Sequence, residues 1–95
     1  MRLIWRRTAL RDLDQIVLYI GRRNFPAALA LQATAESFAE RLLDHPYIHR
    51  AGRVPGTREA LIHPNYVMIY RVTDTAVEIL NVMHSRRSYP DSDSE

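Results

Sequence analysis

The amino-acid pattern predicts an α+β domain of order β-αα-βββ, a helical hairpin laid on one face of a small, mainly antiparallel sheet. Three observations carry that prediction. Residues 66–72, YVMIYRV, and 76–83, AVEILNVM, are strand-rich runs separated by the polar link Thr73-Asp74-Thr75, which reads as an antiparallel hairpin. The first run is apolar on both faces, with Tyr66, Met68 and Tyr70 opposite Val67 and Ile69, as suits a strand in the middle of a sheet. Upstream, two stretches with helical spacing are joined by so short a connection that they form an antiparallel pair.

Arg2 to Arg6, RLIWR, reads as the first strand. Thr8 is suited to cap a helix, because its hydroxyl can accept from an unpaired amide of the first turn. Ala9, Leu13, Ile16, Val17 and Ile20 then share one helical face. Gly21 to Phe25 interrupts the run, and Pro26 fits the first turn of a second helix, where its missing N–H costs nothing. That helix is expected from about Ala27 to Leu43, with Leu31, Ala35, Phe38 and Leu42 as its stripe, and Asp44-His45-Pro46 ends it. Neither helix is stable alone, so both must lay their stripes on the sheet. Tyr47 to Gly56 reads as a basic loop, Thr57 to His63 as a strand, and Pro64-Asn65 as a tight link into the strand that begins at Tyr66. The acidic end, PDSDSE at 90–95, is too polar to pack and is expected to be disordered.

Ninety-five residues suffice for one core and not for two. There is no cysteine, which excludes disulfides and thiolate metal sites. His45, His49, His63 and His84 are scattered, so neither a metal site nor a cofactor is expected. No apolar run reaches membrane-spanning length. All thirteen basic residues are arginine, and from His49 to Tyr89 six arginines and three histidines face only Glu59, Asp74 and Glu78. Arginine makes forked contacts with phosphate and carboxylate, so this surplus favours an anionic partner. A high-GC genome and a solvated surface would explain the total count equally well.

A strand ending in Trp5, the helix ALRDLDQIVLYI, Pro26-Ala27-Ala28, and the runs GRVPGTRE, NYVMIYRV and VEILNVMHSRR together resemble the RelE/ParE toxins of bacterial type II toxin–antitoxin modules. The resemblance extends from about Leu3 to Tyr89 and implies one toxin domain over residues 1–89. It further implies a cytoplasmic bacterial protein that arrests growth unless a cognate antitoxin wraps it in a hetero-oligomer. The family divides by target: ParE-like members poison DNA gyrase, and RelE-like members cut messenger RNA on the ribosome.

The RNA-cutting reaction passes a 2′-hydroxyl onto the neighbouring phosphate, which needs proton transfer and cations around the phosphate. By resemblance, His84, Arg86 and Tyr89 would be the catalytic set of such a nuclease, with His63 a weaker candidate beside Pro64. Arg50, Arg53, Arg58, Arg86 and Arg87 would contact the target or the antitoxin. The sequence departs from the nuclease pattern at Val67, where that branch carries an arginine, and at Glu59 and Leu61, near which it has basic residues. The departure favours the non-enzymatic gyrase toxin. A metal-independent endoribonuclease and a small basic binding module without toxic action are the alternatives.

Overall fold

The computed structural model describes residues 1–87; Tyr89 and the acidic end lie outside the described residues. In chain order the elements are β1 (Arg2–Trp5), α1 (Arg7–Gly21), α2 (Phe25–Arg41), β2 (Arg50–Ala51), β3 (Arg58–His63), β4 (Tyr66–Val72) and β5 (Ala76–His84). They build one five-stranded sheet of order β1-β5-β4-β3-β2. Strand β1 runs parallel to β5, and the other pairs are antiparallel. The α+β class and the helical pair are those expected, with β2, inside the basic loop, as an addition.

Strand β4 is central, and its two faces enter different cores. Met68 and Tyr70 pack with Ala9, Leu13, Leu31 and Leu42 beneath the helices. Val67 and Ile69 pack with Met83 and Leu80 on the far face. The expected helix stripes are the ones used, although Ile16, Val17, Ile20 and Phe38 are only half-buried at the core's margin. Small residues, Ala28, Ala35 and Ala39, form much of the buried face of α2. The Asn24 side chain accepts the Ala27 N–H at 3.0 Å and caps that helix, with Pro26 in its first turn.

The start of α1 corrects the sequence reading. Its cap residue is Arg6, whose side chain makes no capping bond, and Thr8 lies inside the first turn. The Thr8 hydroxyl instead donates to the Leu80 carbonyl at 2.6 Å. The reason lies in β5. Ile69 pairs with Asn81 and Tyr70 with Ile79, so Leu80 has no opposite residue and bulges. The extra residue turns Ile79 and Val82, three apart, to the same helix-side core, which a regular strand would not allow.

The far face is roofed by the segment after β2. Val54-Pro55-Gly56-Thr57 forms a turn closed by the Thr57 N–H on the Val54 carbonyl at 3.1 Å, with Gly56 at φ 85°. Proline followed by a glycine at positive φ is the signature of a type II turn. At Gly52 a β-carbon would lie 2.1 Å from the Thr57 hydroxyl oxygen, so glycine is required for this close approach. The connection from α2 is tied down by the Tyr70 hydroxyl, which donates to the Pro46 carbonyl at 3.0 Å. His49 packs between the Phe38 and Tyr70 rings, and burial, aided by the Arg41 charge, keeps its imidazole neutral to lower pH than usual. Among the described residues no helix is long and apolar enough to cross a membrane.

Leu13 is buried between the helices and the sheet. Leu13→Ala should lower unfolding stability by about 2–5 kcal/mol in a urea titration, the range for a core leucine truncated to alanine. An unchanged midpoint would mean that the stripe of α1 does not hold the core.

Candidate functional site

At one end of the sheet, His63, Tyr66 and His84 stand in register across β3, β4 and β5. Their rings touch in a row: His63 lies 5.4 Å from Tyr66, and His84 lies 5.6 Å from it, edge-on at 71°. The His63 Nδ1 accepts the Asn65 N–H at 3.0 Å, and the His84 Nδ1 accepts the Arg86 N–H at 3.2 Å. Each neutral imidazole therefore carries its proton on Nε2. Both histidines are exposed and Tyr66 is half-buried.

The chain leaves β5 through a turn fixed by its own backbone. The Arg87 N–H donates to the His84 carbonyl at 3.0 Å, and the Ser85 N–H to the Asn65 carbonyl at 2.8 Å. The Ser85 hydroxyl donates to the Pro64 carbonyl at 3.3 Å. A cleft of about 200 Å³ opens beside this turn, lined by Asp12, Gln15, Ile16, Tyr66, His84 and Arg87 among others. One Asp12 oxygen accepts from the Asn81 side-chain amide at 3.0 Å and from the Val82 N–H at 3.1 Å. Thr8 and Asp12, one helical turn apart, thus satisfy the backbone groups that the β5 bulge frees, and hold the exit against α1.

The sequence-predicted residues divide into those the fold gathers and those it does not. His84, Arg86 and Arg87 share the exit turn, and His63 joins them through Tyr66. Tyr89 lies outside the described residues. Arg50 and Arg53 both reach Glu59, at 3.3 and 3.1 Å. Arg58 donates to the His49 and Tyr47 carbonyls at 2.8 and 3.3 Å and lies over the Tyr47 ring. The basic loop is therefore internally engaged, although the Arg50 side chain remains 70% exposed. Among the described residues no group of three or more His, Asp or Glu is arranged to hold a metal. A second surface lies on the helical hairpin, where exposed Leu18, Phe25 and Leu29 rim an apolar groove of about 230 Å³ with Val17 and Ala28 at its base.

Residues 3–89 match the family model described as the ParE toxin of the type II toxin–antitoxin system parDE. The chain belongs to that ParE toxin family. Its relatives include the Sinorhizobium fredii protein Y4kP, 36% identical over 90 residues that cover 94% of this chain and 93% of that protein. The toxin RelE2 of Caulobacter vibrioides is 31% identical over 86 residues, 90% of this chain and 97% of that one. Among solved structures, a chain of the chromosomal ParDE system from P. aeruginosa superimposes with a TM-score of 0.78 at 26% identity, covering 88% of this chain and 95% of that chain.

Within the ParE family fold, sequence reasoning missed Asp12 and the roles of Thr8 on β5 and of Glu59 beneath Arg53. Thr8 and Asp12 flank the apolar stripe of α1 four residues apart, which was the available signal; their partners on β5 were hidden because a bulge leaves no periodic trace. Asp12→Ala would remove the acceptor of the Val82 N–H, at about 1–3 kcal/mol. Thermal denaturation should show that loss, with part of it recovered by Asp12→Asn. No loss in the alanine variant would show that the α1 clip does not hold β5.

Proposed function

We propose that this toxin arrests bacterial growth by binding DNA gyrase in the cytoplasm, without covalent chemistry of its own, and that a cognate antitoxin neutralises it. The observation that carries this reading is Val67. It stands where the resemblance gives the nuclease branch an arginine, and it is 1% exposed within the far-face core. Neighbouring Glu59 is buried and paired with arginine, and Leu61 is an exposed aliphatic side chain. The cations that would hold a strained phosphate are thus missing from those positions. Arg86 and Arg87 would then supply the contact surface, since arginine forks suit carboxylates of the target.

The P. aeruginosa relative is described as part of a ParDE toxin–antitoxin system, which supports an antitoxin partner here. Its most favourable footing is the hairpin groove, where an apolar segment can cover Leu18, Phe25 and Leu29 while acidic residues meet Arg22. This moves the expected antitoxin contact away from Arg50, Arg53 and Arg58, whose side chains have partners inside the chain.

A RelE-like ribosome-dependent nuclease is the second reading, favoured by the row His63–Tyr66–His84 beside Arg86 and by the relative named RelE2. Exposed imidazoles can give and take a proton, as that cleavage requires. The two readings part at His84→Ala. A binding toxin should keep its growth arrest in that variant, losing the bond to Arg86, worth about 1 kcal/mol, and the edge contact with Tyr66. On purified ribosomes neither wild type nor variant should cut messages. Codon-dependent cleavage by wild type, lost in His84→Ala, would replace the gyrase reading with the nuclease.

A further inference from the structure

We infer that Arg53 is a positioning residue: it fixes the exit turn that carries His84, Arg86 and Arg87, and does not itself contact the target. The inference rests on the reading that this turn is the working surface of the toxin. It starts from Glu59, whose side chain is 1% exposed on the far face of β3. One Glu59 oxygen accepts the backbone N–H of Arg53 at 3.0 Å and forms an ion pair with its Nε at 3.1 Å. The guanidinium then continues past the carboxylate. Its Nη1 donates to the Arg87 carbonyl at 2.6 Å, and its Nη2 to the Ser85 carbonyl at 3.4 Å.

Three nitrogens of one planar group therefore meet one buried carboxylate and two carbonyls of the exit turn. The group lies against the Glu59 carboxylate, and its side chain is 33% exposed against 70% for Arg50, so of the two it is the less open to a distant anionic partner. What it supplies is geometry. The tight turn at Val54–Thr57 and the Gly52 N–H, which donates to the Thr57 carbonyl at 2.7 Å, set the loop from which the fork reaches. Across the sheet, Thr8 and Asp12 hold the same strand from the helix side. The exit is pinned from both faces.

Lysine separates position from charge, because it keeps the ion pair with Glu59, and so the fold, but lacks the fork that spans both carbonyls. Arg53→Lys, Arg53→Ala and wild type should be compared by amide hydrogen exchange at residues 85–87 and by growth arrest on induction. Both variants should exchange these amides faster by about tenfold, as expected when a hydrogen bond of ordinary strength no longer opposes local opening. Both should lose toxicity together, with antitoxin binding unchanged. A toxic Arg53→Lys with a protected exit would overturn the inference, since charge alone would then suffice. Arg86→Glu, tested alongside, separates this failure from that of the underlying reading. If Arg86→Glu is as toxic as wild type, the exit is not the working surface and both fall. If Arg86→Glu is inactive while Arg53→Lys stays toxic despite faster exchange, only the positioning role falls.

Discussion

A central strand with apolar side chains on both faces has to be covered twice, and β4 imposes that constraint on everything around it. The helical hairpin meets it on one side with leucines and alanines. Among the described residues no helix covers the other side. There Val67, Ile69 and Met83 form a thin core, and the loop after β2 closes over it through Arg53 and Glu59. Burying a carboxylate is costly unless its partners remain, and Glu59 keeps two guanidinium groups and a backbone N–H. The polar roof is thus tied to the integrity of the loop, and through Arg53 to the exit of β5.

The same economy explains the arginines. Several do structural work on aromatic faces: Arg23 lies over Tyr19 at 4.4 Å, Arg41 over Phe38 at 4.6 Å, and Arg58 over Tyr47 at 5.0 Å. Arg71 pairs with Glu78 at 2.7 Å, a bond that, with the Arg6 charge, holds that carboxyl below its usual range. The basic surplus is therefore only partly a recognition signal. A guanidinium for a partner is best sought where the chain leaves the sheet, at exposed Arg86.

Most of the fold was legible because its signals are local. The helix stripes, Pro26 in the first turn of α2, and the polar link at Thr73–Thr75 each mark an element by period or turn chemistry, whereas the Asn24 cap was not read. Strand β2 was not legible, since two residues carry no period and its pairing depends on β3. Nor was the role of Thr8, which looks like a cap until the bulge at Leu80 offers it a carbonyl. At the site, His84, Arg86 and Arg87 were readable as a cluster because they are neighbours in the chain. The link from Arg53 spans 34 residues to Arg87, and no spacing rule reports such a contact.

The central claim is that this ParE-family toxin acts by binding gyrase at the exit of β5, and purified gyrase tests it most directly. Supercoiling of relaxed plasmid should fall as the toxin is added in stoichiometric amounts, recover on addition of the antitoxin, and resist Arg86→Glu toxin. Full supercoiling activity in the presence of toxin that still arrests growing cells would contradict the account.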